Sequence, residues 1–416
     1  MRRVLLAGAS LAVLLASANV KAAELVVSTD TPLSENVTFG TGQTYDSFSN
    51  KDNALYGFDA SDTENHNITF GAGTTSVNLT GNGSKASGIA TNGQLTINAG
   101  TFNVSNTGSD VYDNTTQLAG YRGVTVTGGE INLGKGTAMF SGLAGDTGSM
   151  TASDVSLNSG TVNLDGGIIL TSSNETVAGE INIAGATVNA NSGRLVSKTT
   201  NVNGGTLNIN GAVDLYGNKA NDATGATLNV SSGSFNLNDA DLNAGKVTVN
   251  ITGGTNTVTG SNTVTGDVKI NTAGNLTLTK GSSLEFGAGT LTIDGTHGAS
   301  GSAQRNGIAG VVENDAPLGE VTLNGTTVNI TGGGNIEVDK LNIAGGEINV
   351  SGTGADLTVP VGEDWRKGSI ISGTTSLDMT GGKVTLGENG QMITYENGSI
   401  NLSGGGGVFL RGGGLR

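Results

Sequence analysis

Along most of this chain two apolar residues flank a polar one, a small-residue pair follows, and the same triplet returns seven positions after the first. Leu95-Thr96-Ile97 is followed by Phe102-Asn103-Val104, and Val124-Thr125-Val126 by Ile131-Asn132-Leu133. Val155-Ser156-Leu157 precedes Val162-Asn163-Leu164, and Ile181-Asn182-Ile183 precedes Val188-Asn189-Ala190. The phrase returns in the pairs that start at Leu228 and Phe235, Leu284 and Leu291, Val321 and Val328, Leu341 and Ile348, and Leu377 and Val384. Alternation of apolar and polar residues is the strand period, because successive side chains leave opposite faces, and Ala-Gly, Gly-Gly or Ser-Gly marks a tight corner. The pattern predicts strand, corner, strand. Strands this short cannot bury an apolar face alone, so the coils must stack on one another in an all-β solenoid.

The inward positions are Val, Leu, Ile and occasional Phe. The slot between them is very often asparagine, at Asn78, Asn103, Asn132, Asn163, Asn182, Asn208, Asn229, Asn236, Asn329, Asn342, Asn349 and Asn401, or threonine, as at Thr96, Thr125, Thr292 and Thr322. With neighbouring coils in register, outward asparagines can hydrogen-bond up and down the stack as a ladder. The exposed faces are therefore expected to be uncharged, polar and flat. At roughly 20 to 30 residues per coil and about 4.8 Å between stacked strands, the repeats amount to about 11 to 16 coils.

Residues 1–22 have the order of a secretory signal peptide: Arg2 and Arg3, an apolar stretch from Val4 to Leu15, then small residues up to Val20-Lys21-Ala22. Cleavage is expected after Ala22, with Ala18 as the alternative, and the apolar core is short for a membrane span. Residues 23–72 hold Phe39, Tyr45, Phe48, Tyr56, Phe58 and Phe70, six of the 16 aromatic residues. An aromatic-rich, irregular start is expected to cap the first open coil. Repeats are expected over 73–403, and the glycine-rich 404–416 is expected to be a truncated end. Three segments break the rhythm, at 105–122, 296–319 and 351–376. The last holds the single tryptophan, Trp365, beside Glu363, Asp364, Arg366 and Lys367, and this cluster is the candidate binding loop, since irregular loops on a regular scaffold commonly carry binding sites. Plain insertion into a tolerant repeat is the competing reading of all three.

Composition narrows the function classes. The net charge is -15, and loss of the leader, with Arg2, Arg3 and Lys21, leaves 17 basic against 35 acidic residues. Such a surface repels phosphate backbones and anionic lipid, which argues against a nucleic-acid partner. With 0 cysteines in an exported chain, disulfides are unavailable and the core must supply the stability. Glycine is 71 of 416 residues without a triplet period, which excludes collagen, and only 3 prolines argue against a proline-rich stalk.

Catalysis needs convergent titratable groups. His66 and His297 are the two histidines. Gly145-Asp146-Thr147-Gly148-Ser149 lacks the second aspartate of a protease dyad and carries Thr147 where a serine nucleophile would stand, so it reads as a turn. The acids Asp294, Glu337, Asp339 and Glu363 are scattered instead of recurring at one coil position. No catalytic residue, cofactor site or metal-ligand set is read from the chain, and Gly332-Gly333-Gly334 lacks the aspartate of a calcium-binding nonapeptide.

Taken together, the leader, the cap and the long Asn/Thr/Gly-rich run resemble the passenger region of Gram-negative autotransporters of adhesin type. Gly179-Glu180-Ile181-Asn182-Ile183-Ala184-Gly185-Ala186-Thr187-Val188 and the stretch from Leu341 to Ile348 carry the resemblance. It implies a right-handed parallel β-helix with an N-terminal cap, displayed at the cell surface or secreted, and threaded through the outer membrane by a C-terminal barrel. Nothing after Ser403 supplies the ten or so amphipathic strands of such a barrel, so a barrel is expected in a longer product or in a separate exporter. The expected function is a non-catalytic rod for adhesion or self-association, with host or environmental glycans or proteins, or the chain itself, as partners. The alternative is a polysaccharide-binding or polysaccharide-cleaving extracellular β-helix, because this fold serves both classes.

Overall fold

A computed structural model describes residues 31–32, 37–39, 43–49, 54–57, 67–71, 74–81, 87–91, 93–107, 116–142, 153–171, 179–217, 226–295, 307–313, 316–352, 369–388, 390–394, 398–410 and 414–415. They form two compact units, Met1–Leu207 with Tyr216–Ala226, and Asn208–Leu215 with Thr227–Arg416. The protein is all-β: parallel strands stack coil on coil as a β-solenoid, and no helix occurs among the described residues.

In the first unit each coil contributes three strands to three stacks. The first stack contains Ile68–Phe70, Leu95–Ile97, Val124–Val126, Val155–Leu157 and Glu180–Ile183, paired in parallel with like residues opposite one another. Val124 faces Leu95 below and Val155 above, and Val126 likewise faces Ile97 and Leu157. The second stack contains Thr74–Gly81, Thr101–Asn106, Glu130–Gly134 and the starts of Thr161–Thr171 and Thr187–Val196. Ser87–Thr91, Thr116–Gly120, Thr137–Ser141 and the ends of the same two long strands form the third.

The inward rows follow from the alternation. Ile68, Leu95, Val124, Val155 and Ile181 are wholly buried, as are Ile97, Val126, Leu157 and Ile183 in the parallel row. Phe70 meets Phe102 edge-on at 4.9 Å, an arrangement that aromatic quadrupoles favour. The predicted phrase thus corresponds to the first two strands of a coil. The third strand carries no alternation because its two sides are both dry: Thr137-Ala138-Met139-Phe140-Ser141 is buried at every position.

The second unit is built the same way, with a different strand hidden. Here the two strands of one phrase, Ser283–Phe286 and Thr290–Gly295, pair in parallel with the two of the next, Glu320–Asn324 and Thr327–Thr331 respectively. The unread strands are Gly307–Gly310 and the starts of Asn335–Val350 and Ser369–Leu386. Two of the three predicted breaks therefore contain coil strands, Thr116–Gly120 and Gly307–Gly310, and the third runs into the strand that begins at Ser369. Coil length also varies more than the repeat suggests. Hydrogen-bonded neighbours are 19 residues apart at Asn182 and Asn201 but 37 apart at Asp294 and Thr331, and the longest steps hold the breaks.

Within the expected cap, the backbone of Val37–Phe39 pairs in parallel with Ile68–Phe70 of the same segment, while Gln43–Ser49 and Ala54–Gly57 pair in parallel with the repeat strands Thr74–Gly81 and Ser87–Thr91, Leu55 opposite Ile89. Residues 23–30, 33–36, 40–42, 50–53, 58–66 and 72 of that segment, and the expected leader at 1–22, lie outside the described residues.

Corners between the first two stacks are made by glycines that sit directly over one another. Gly100, Gly129 and Gly160 have φ of 100°, 88° and 89°, and a Cβ on Gly129 would lie 2.4 Å from the Gly100 carbonyl oxygen. Gly281, by contrast, has φ of 74° but open space around it. Gly281→Ala is therefore expected to cost about 1–2 kcal/mol from the left-handed backbone alone. Gly129→Ala adds a backbone clash and is expected to cost distinctly more, about 3 kcal/mol. Urea unfolding of the two variants measures the difference; equal costs would show that the corners are not close-packed.

Candidate functional site

The outward slot of the second stack in the first unit is asparagine in five successive coils. Asn103 donates to Asn78 at 2.8 Å, Asn132 to Asn103 at 2.9 Å, Asn163 to Asn132 at 2.7 Å and Asn189 to Asn163 at 2.8 Å, always from Nδ2 to Oδ1. In-register stacking produces this geometry without further help, since identical amides then repeat at the strand spacing. The second unit carries shorter ladders. Asn236 donates to Asn208 at 2.8 Å and receives the Thr257 hydroxyl at 2.8 Å, while Asn250 donates to Asn229 and Asn271 to Asn250, each at 3.2 Å. Asn349 donates to Asn329 at 3.2 Å.

Several amides end on acids. Asn191 donates to Asp165 at 2.8 Å, Asn324 to Glu285 at 2.9 Å, and Asn401 to Asp378 at 2.5 Å. Hydrogen bonds to a carboxylate are stronger than neutral ones, so these outward acids brace neighbouring coils.

A second use of asparagine was not legible. Asn256 and Asn262 take inward positions and are 1% and 3% exposed. The Asn256 oxygen accepts the Phe235 amide at 3.1 Å, and its Nδ2 donates to the carbonyls of Gly253 and Asn275. Asn262 does the same for the Ala240 amide and the carbonyls of Thr259, Gly260 and Ser283. Each closes a corner where backbone groups turn inward and would otherwise be buried unpaired. The available signal was phase: Asn256 stands two residues before inward Val258, and Asn262 two before inward Val264.

Nor are all outward faces polar, which corrects the sequence expectation. On the third stack of the first unit, Ala119, Phe140, Leu170 and Val196 form an outward row, joined by Ala138 and Ile168, and all six are buried. Tyr121 packs edge-on to Phe140 at 5.8 Å, and the Arg194 guanidinium lies 5.5 Å from the Tyr216 ring.

The sequence-read chemistry is dispersed. Asp294 accepts the Thr331 hydroxyl at 2.8 Å, Asp339 accepts the Thr375 hydroxyl, and Glu337 is 2% exposed and receives Asn335 Nδ2 at 2.6 Å. Among the described residues no three His, Cys, Asp or Glu side chains gather. The candidate loop of Glu363, Asp364, Trp365, Arg366 and Lys367 lies outside the described residues, as do His66, His297 and the turn at 145–149. The repeated feature of the described surface is amide and hydroxyl groups in register, beside exposed apolar side chains such as Val312, Leu402 and Leu410. Comparison with protein-family models, with curated proteins and with solved structures found no match for this chain.

Removing a rung tests the ladder against the buried corners. Asn132→Ala deletes two half-exposed bonds and is expected to cost about 1–2 kcal/mol, whereas Asn256→Ala strands buried backbone groups and is expected to cost about 3 kcal/mol. Denaturant titration reads both, and a larger loss for Asn132→Ala would reverse the assignment of outer and inner asparagines.

Proposed function

We propose that the chain is an exported, surface-displayed β-solenoid that works by non-catalytic contact, in adhesion or self-association, as the passenger part of an autotransporter-like protein. The observation that carries this reading is the uncharged asparagine face, in which side chains serve bonds between coils and form a regular array of amides and hydroxyls. A face of that kind suits repeated weak contact, whereas an active site gathers a few groups of shifted acidity around one point. The leader-like start fits export, and the chain's acidic balance disfavours phosphate-rich partners. The barrel or exporter that would hold the chain at the surface is part of the same proposal.

Cells that display the chain are expected to clump or to stay attached to protein-coated or glycan-coated surfaces more than cells without it. Antibody to the repeat region is expected to find the product in the outer-membrane fraction. Absence of clumping and attachment, with release of reducing ends or unsaturated products from a polysaccharide panel, would replace this reading with an enzyme.

A further inference from the structure

The second stack of the first unit differs from an ordinary protein surface in being repetitive, with its asparagines in register. Its central outward row is Asn78, Asn103, Asn132, Asn163 and Asn189. Beside it runs a row of Ser76, Thr101, Glu130, Thr161 and Thr187, again in register. Thr80 and Ser105 begin the row on the other side. In these rows the chain's 35 acids are represented by Glu130, with Asp165 at the margin. The face is thus nearly neutral on a chain of net charge -15.

Hydrogen-bonding capacity remains in the ladder. A carboxamide has two N–H groups and two acceptor sites on oxygen. Asn103 and Asn132 each use one donor and one acceptor within the ladder, which leaves one of each directed out of the row. At Asn103 and Asn132 a spare donor and a spare acceptor stand side by side, an arrangement complementary to its own copy. Stacked parallel strands with identical asparagine rows are also the surfaces that pair face to face in cross-β assemblies, about 10 Å apart, with side chains interdigitated.

Resting on the contact-surface reading above, we propose that this face binds the same face of a second copy of the chain. Charge favours that occupant and that place. Two chains of net charge -15 repel wherever their acids meet, and a nearly neutral patch is where they can approach. Size sets the strength. Five strands about 4.8 Å apart, with about six residues across, cover about 400–500 Å² per copy. A stable complex buries about 800 Å² per partner, so single pairs are weak and many tethered copies act together.

Sedimentation velocity on the full chain over a concentration series, at low and raised salt, tests the proposal. Reversible self-association that strengthens with salt is expected, because salt screens the repulsion between the acidic chains. Ser76→Glu with Thr187→Glu adds charge at two positions of the flanking row that do not adjoin Glu130 and leaves every ladder asparagine in place. This variant is expected to weaken association at least tenfold with its melting temperature within about 2 °C of the parent. Ser76→Lys with Thr187→Lys, mixed with the Glu variant, is expected to restore association at low salt, which loss of folding could not do. A parent chain that stays monomeric at every concentration and salt level overturns the proposal, as does a Glu variant that associates as the parent does. Displayed cells that still clump with the Glu variant would place self-contact on another face and leave the adhesive reading standing. Displayed cells that neither clump nor attach would remove the reading itself.

Discussion

Everything in this protein depends on each coil burying its apolar row against the coils on either side. A strand of three residues, such as Val124–Val126, has no sheet of its own. Val124 and Val126 become wholly buried only because Leu95 and Ile97 lie beneath them and Val155 and Leu157 above. Burial of such a side chain is worth about 1.5–3 kcal/mol, and it is gained only when like positions coincide. Register is therefore imposed by the core. A slip of one residue would turn every apolar side chain outward.

Register in the core brings register everywhere else. The asparagines between the apolar residues fall over one another, so Asn132 reaches both Asn103 and Asn163. Corner glycines fall over one another too, and Gly129 leaves no room for a side chain above Gly100. The same residue type then meets two environments. Outward asparagines bond to their own kind in partial contact with water, whereas Asn256 and Asn262 turn inward and satisfy backbone groups at the corners. Inverting these two placements would leave buried carbonyls and amides without partners, which costs far more than an outer bond contributes.

A scaffold held together in this way can vary its loops without disturbing its coils. The step from one coil to the next nearly doubles between Asn182/Asn201 and Asp294/Thr331, yet the strands on either side stay paired. Several acids serve as acceptors for an amide or a hydroxyl, including the buried Glu337, and Lys280–Glu313 and Lys383–Glu347 form exposed ion pairs. The repeated element on the described surface is the basis for proposing that the chain is a contact protein.

The sequence by itself determined the all-β stacked architecture, the inward rows and the outward asparagines, because a strict period of two leaves one assignment of faces. Glycine pairs between triplets likewise identified corners, since only glycine adopts those backbone angles without strain. Tertiary structure alone decided which strands complete each coil. Thr137–Ser141 and the strand start at Asn335 are buried on both sides, and a segment with no solvent side has no alternation to read. It also decided that Phe140 and Leu170 share a buried outward row and that Asn256 belongs inside. Those placements depend on residues 21 to 30 positions away in the chain, as when Asn256 caps the Phe235 amide or Phe140 lies beside Leu170. A local pattern reports which side of a strand is dry, whereas the neighbours that make it dry are chosen by the coil lengths on either side.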